Sequence, residues 1–189
     1  GILISHEHGD HSKAVEKITR RGIDCYMSQG TADELAIDNH RIITVGARDD
    51  LVIGVNWRVI PFDVEHDAAE PLGFLMQNTL GEKLVYITDS YYSRYRFKGL
   101  THIMIECNYA LDILNNNVKS GRVHPSQKKR VLQSHFSLKN VKDFLRANDL
   151  SQVQEIWLLH LSNDNSDEMR FKREIQELTG KVVKIAGGV

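Results

Sequence analysis

The segment His6-Glu7-His8-Gly9-Asp10-His11 sets three imidazoles and a carboxylate within one short turn. Imidazole and carboxylate are donors that suit zinc or manganese, and a tight turn behind a strand can aim all of them at one point. A solvated polar loop would tolerate the same residues, but the HxHxDH spacing arises by chance in roughly one such chain in a thousand. Three more donors follow in order: His66 in VEHDAAEPLGFLM, Asp89 in VYITDSYY and His160 in IWLLHLSNDN. Each alone reads as structural; behind the anchor turn they extend it. Two cations about 3.5 to 4 Å apart would share a water, lower its pKa and neutralise charge on a phosphoryl group. A one-metal site satisfies the same spacing.

The elements that must position these residues are legible in outline. Residues 2 to 5 (ILIS) predict a short buried strand, and HSKAVEKITRRG an amphipathic helix stopped at Gly22. A strand at CYMS and a short helix capped by Ser28 or Thr31 repeat that rhythm. From Ile42 to Met76 the short β-rich segments RIITV, LVIG, WRVIPFDV and LGFLMQ predict an antiparallel meander. KLVYITD and HIMIECN read as buried strands, 109–117 as a helix, and KSGRVHPSQKK as a polar loop carrying a Gly and a Pro. SLKNVKDFLRAND and SDEMRFKREIQELTG predict amphipathic helices, EIWLLHLS and KVVKIA strands. The whole is a layered α/β arrangement with a meander inside it.

HxHxDH at the end of a strand, followed by that His, Asp and His, resembles the metallo-β-lactamase superfamily. The elements HEHGDHSKAV, EHDAAEPLGF, YITDS, IECNY, SHFSLKN and LLHLSNDN resemble in particular its YycJ/WalJ-like exonuclease branch, related to tRNase Z. The resemblance implies an αβ/βα four-layer sandwich over 1–189 as a single domain, whose opening N-terminal strands precede the point at which this sequence starts. It implies two divalent ions, zinc or manganese: His6, His8 and His66 on one, Asp10, His11 and His160 on the other, Asp89 bridging. Asp10 counts with Glu106 and His135 as catalytic. A protonated His135, steadied by Glu106, would donate a proton to the departing oxygen. Ser137 would offer a hydroxyl to a phosphate, and Arg94 and Arg96 in SRYRFKG would contact the backbone. The branch usually reads GHLSN where this chain has SHFSL.

The function implied is a metal-dependent phosphodiesterase on nucleic acid, DNA before RNA, as a 5′-to-3′ exonuclease. Alternatives are a hydrolase of a small ester, lactone or thioester on the same site, or a non-catalytic nucleic-acid-binding protein. Bulk numbers set bounds. With 189 residues, 41% hydrophobic content and a net charge of −1, the chain can build one sizeable core and does not advertise a polyanion binder by charge alone. Its basic residues gather in SRYRFKG and in the loop with Arg122, Lys128, Lys129 and Arg130, where a phosphate backbone could be tracked. Two cysteines, Cys25 and Cys107, suit a reducing cytoplasm, and no apolar run is long enough for a membrane helix. His40, His102 and His124 read as surface residues, and Asp67 as a partner that could orient His66. Oligomeric state leaves no trace in the sequence.

Overall fold

A computed structural model of the chain describes residues 1–187. In chain order the elements are β1 (Ile2–Leu3), α1 (Gly9–Ser12), α2 (Val15–Thr19), β2 (Cys25–Met27), α3 (Gln29–Leu35), β3 (Ile42–Thr44), β4 (Leu51–Ile53), β5 (Trp57–Asp63), β6 (Leu72–Asn78), β7 (Lys83–Ile87), β8 (His102–Glu106), α4 (Leu111–Lys119), α5 (Pro125–Ser134), α6 (Leu138–Ala147), β9 (Glu155–Leu159), α7 (Glu168–Thr179) and β10 (Val182–Ile185).

Two sheets form. The smaller is all parallel, in the order β1-β2-β3. The larger runs β10-β9-β8-β7-β6-β5-β4, antiparallel from β4 to β7 and parallel from β7 to β10. Period-2 alternation sorts the strands of the larger sheet. Val85 and Ile87 of β7, Ile103 and Ile105 of β8, and Ile156 and Leu158 of β9 join one core, which is closed by Val141, Phe144 and Leu145 of α6 and Phe171 and Ile175 of α7. On the opposite side Val59, Leu72 and Phe74 meet Val45, Leu3, Tyr26 and Ile43, so the two sheets pack face to face. A third core, Ile4, Val15, Cys25 and Met27 with Ile18 and Leu35, seals the smaller sheet against α2 and α3. Helix, sheet, sheet and helix are the four layers, and each fully buried aliphatic or aromatic side chain contributes roughly 1.5–3 kcal/mol to holding them together.

Four details differ from the sequence expectation. The strand predicted at 2 to 5 ends at Leu3, and the helix predicted after the ligand turn is split into α1 and α2 at Lys13 and Ala14. β3 does not belong to the meander; it pairs in parallel with β2 in the other sheet, Cys25 opposite Ile42. The segment read as a polar loop contains helix α5: Pro125 stands at its first position, where a missing N–H costs nothing, and the His124 ring accepts from the Ser126 N–H as a cap. Of the two cap candidates before α3, Ser28 is the one that accepts, from the Thr31 N–H.

Candidate metal centre

The ligand turn leaves β1 and enters α1 within a few residues. It is tied by the Ser12 hydroxyl, which donates to the carbonyls of Glu7 (2.6 Å) and His8 (3.0 Å). Opposite it lies the loop between β5 and β6 that carries His66. The Glu7 carboxylate accepts from the Ala69 N–H at 2.8 Å, the Leu72 N–H donates to the Ser5 carbonyl at 2.9 Å, and the Glu65 N–H donates to the Ser90 hydroxyl at 3.0 Å. These bonds lock three loops to one another. Asp89 follows the end of β7 and His160 the end of β9, both with left-handed backbone, φ 22° and 50°. Non-glycine residues pay for that conformation in strain, which in folded proteins concentrates at functional sites.

The side chains converge. Donor atoms of His6, His8 and His66 lie within 4.8 Å of one another, as do those of Asp10, His11, Asp89 and His160. Asp89 stands between the sets: its Oδ2 is 3.8 Å from His6 Nε2, 3.7 Å from His66 Nε2 and 3.4 Å from His11 Nε2, and its Oδ1 is 2.8 Å from His160 Nδ1. Asp10 Oδ2 lies 3.3 Å from His11 Nε2 and 3.6 Å from His160 Nε2.

Three features fit this donor set to cations. The Nε2 atoms of His6 and His11 are buried without a hydrogen-bond partner, an arrangement a metal would satisfy. His66 donates its Nδ1–H to the Ser134 carbonyl at 2.8 Å, which leaves a lone pair on Nε2, 3.2 Å from His8 Nδ1. Burial lowers the His6 pKa to about 3, helped by the neighbouring His11, and burial lowers that of His66 as well, so both rings are neutral and able to ligate. Burial alone would raise the Asp89 carboxyl; bonds to His11 and His160 instead hold it far below the usual carboxylate range.

Behind the ligands sits Glu106, fully buried at the end of β8. Its Oε2 accepts from the N–H groups of Ser90 and Phe136, both at 3.0 Å, while its Oε1 faces His135 Nδ1 at 2.6 Å and His160 Nδ1 at 2.9 Å. Hydrogen bonds to Asp89 and Glu106 push His160 up to about 10. Burial opposes protonation of His135, but the Glu106 bond and charge outweigh it and raise its pKa.

A pocket of about 420 Å³ opens over this cluster, lined by His8, Asp10, His66, Asp89, His135 and His160 together with Gln127, Arg130 and Val131 of α5. The structure therefore gathers the seven residues predicted as ligands, with Glu106 and His135, at one place. It does not bring Ser137 there: that side chain is buried and accepts from the Asn140 N–H at 3.0 Å as the N-cap of α6, so the expected phosphate contact is not available to it. Arg94 and Arg96 line a neighbouring pocket with Tyr95 and Phe144, and Arg94 is paired with Glu65 at 3.1 Å. Sequence reasoning missed Thr88, whose hydroxyl donates to Asp89 Oδ1 at 2.9 Å, and Asn108, whose amide holds the His160 carbonyl at 2.9 Å. It also missed Ser134, which acts through its backbone and so leaves no signal in residue type.

Comparison with known proteins agrees with the architecture. The model of the β-lactamase superfamily domain matches residues 1–160. The chain is 31% identical over 180 residues to exodeoxyribonuclease YycJ of Bacillus anthracis, a match that covers 88% of this chain and 65% of that protein. Among solved structures, the metallo-β-lactamase fold protein YhfI from Bacillus subtilis aligns with TM-score 0.71 at 15% identity, over 98% of this chain and 73% of that one. Zinc-bound PqqB from Methylobacterium extorquens aligns with TM-score 0.70 at 13% identity, over 97% and 69%. The family match runs through the core and the ligand loops from His6 to His160, and it makes this chain a member of the β-lactamase superfamily, with the metallo-β-lactamase fold.

Proposed function

We propose that the chain is a metal-dependent hydrolase that cleaves phosphodiester bonds in nucleic acid, as a single domain over 1–189, with DNA attacked from a 5′ end as its substrate. The carrying observation is Glu106, which reaches His135 and His160 at once behind the two donor triads. Such an arrangement supplies a proton beside a site built for anionic oxygens, which small-ester hydrolysis does not require. Its likeness to an exodeoxyribonuclease supports the same reading.

His6, His8 and His66 would hold one divalent ion and Asp10, His11 and His160 the other, with Asp89 between them. Zinc or manganese bound there supplies positive charge for the phosphoryl oxygens and lowers the pKa of the attacking water. The protein's own groups do the rest. Ser5 and Ser134 fix the imidazole orientations of His6 and His66 through Nδ1. Glu106 holds His135 with its Nδ1–H toward the carboxylate, so that Nε2 delivers the proton to the leaving oxygen as the phosphorus–oxygen bond breaks. Among the described residues no helix is long and apolar enough to cross a membrane, and a cytoplasmic setting belongs to this proposal.

The test compares DNA, RNA and a small lactone as substrates of the zinc- or manganese-loaded protein. Cleavage of 5′-phosphorylated DNA is expected, abolished in His135→Ala with the metal content retained. Lactone turnover without DNA cleavage, or undiminished DNA cleavage by His135→Ala, would overturn the reading.

A further inference from the structure

Helix α5 turns toward the metal pocket a stripe that the metal chemistry leaves unused. Gln127, Arg130 and Val131 line the pocket, and Ser134, next in the helical three-four spacing, gives its carbonyl to His66. The C-terminal end of α5 is thus anchored at the ligands, and its polar stripe leads away from them along the pocket wall. Arg130 is the cation on that stripe. Its Nε–H donates to Asp67 Oδ2 at 2.8 Å, and the other Asp67 oxygen lies 3.4 Å from His66 Nδ1. The guanidinium is a rigid fork with five donors, so a bond through Nε orients the group and leaves its other N–H groups uncommitted.

The Arg130–Asp67 pair is exposed, and exposed pairs contribute little to stability. Its position suits anion binding better. Among the described residues, Lys128 and Lys129 have no ion-pair partner, so three successive positions of α5 carry positive charge at the mouth of the pocket. By contrast, Arg94 and Arg96 open onto a different pocket. We infer that α5 tracks the phosphodiester backbone beyond the scissile bond, with Arg130 gripping a phosphate and Asp67 acting as the positioning residue that aims it. This inference rests on the nuclease reading above, and extends it to how the strand is held.

The probe is a 5′-phosphorylated single-stranded oligodeoxynucleotide, with cleavage-resistant phosphorothioate linkages for binding and natural linkages for kinetics. With metal-loaded protein, Arg130→Ala is expected to weaken binding by roughly five- to tenfold and to reduce the slope of log K against log salt by about 1. KM should rise more than kcat falls, with the metal content kept. Asp67→Asn should raise KM by roughly two- to threefold with the salt slope unchanged, since the cation remains and only its aim is lost. Arg20→Ala, which removes an equal charge paired with Glu16 at the end of α2, is the control and should alter neither. Cleavage of the natural strand with unchanged affinity and salt slope in Arg130→Ala would overturn the inference while leaving the nuclease reading intact. A wild-type protein that neither binds nor cleaves the strand would overturn both.

Discussion

Glu106→Gln isolates one charge without changing the shape of the residue. The carboxylate accepts four hydrogen bonds, from two backbone N–H groups and two imidazoles. In the variant the amide oxygen keeps the two backbone donors, and its NH2 then faces His135 Nδ1 and His160 Nδ1. Both rings must switch from donating to accepting, which moves their remaining proton to Nε2. At His160 that is the nitrogen facing Asp10, and a protonated Nε2 cannot ligate a cation. Bonds to a charged acceptor contribute about 1.5–3 kcal/mol and neutral ones about 0.5–1.5, so replacing four of the first kind by weaker contacts costs roughly 2–4 kcal/mol in the metal-free protein. Loss of the partner that sets a ligand's tautomer lowers metal affinity by roughly 10- to 100-fold. Chelator competition measures the zinc affinity, thermal melting of the stripped protein measures stability, and circular dichroism checks that the variant folds. A folded variant with wild-type affinity and an unshifted melting temperature would refute the assignment of Glu106 as the residue that sets these tautomers.

Two other outcomes follow from the structure. A Cβ on Gly73 would lie 2.6 Å from the Phe62 ring and 3.1 Å from the Tyr86 carbonyl, with Phe62 itself buried. Gly73→Ala should therefore cost roughly 1–3 kcal/mol, read as a lowered Tm of about 2–4 °C per kcal/mol. The metal-free protein should be most stable near the ordinary histidine pKa. His6, depressed to about 3, contributes stability that is present above 6.5 and lost as pH falls, because the unfolded chain takes up a proton that the folded one refuses. His160, raised to about 10, contributes stability that is present below 6.5 and lost as pH rises toward 10. Melting temperatures from pH 5 to 9 that change in one direction only would contradict these assignments.

The ligand set was legible because its donors are dense in His6 to His11 and stand elsewhere at strand ends, where a chain emerging from a buried sheet must present polar residues. Helix α5 was not. Its inward stripe of Gln127, Arg130, Val131 and Ser134 faces a polar pocket, so the apolar period that marks a core-facing helix is missing, and Pro125 reads as a breaker until its place at the first turn is known. β3 shows a second limit. Ile42, Ile43 and Thr44 specify a strand, but nothing in three β-branched residues says which sheet will accept it. Ser137 shows a third: a hydroxyl before an amphipathic helix satisfies the pattern of a cap and of a phosphate ligand equally, and only packing separates them.

The donors do not come from one side of the molecule. His6, His8, Asp10 and His11 hang from the smaller sheet, His66, Asp89 and His160 from the larger, and between the sheets lies an apolar seam. A cation held jointly by both groups is a rivet through that seam, playing mechanically the part a disulfide plays elsewhere. Its binding free energy is then also adhesion between the two halves of the fold, and the left-handed backbone at Asp89 and His160 is tension that the rivet keeps from relaxing. Metal supply sets how firmly the molecule is closed as well as whether it can react.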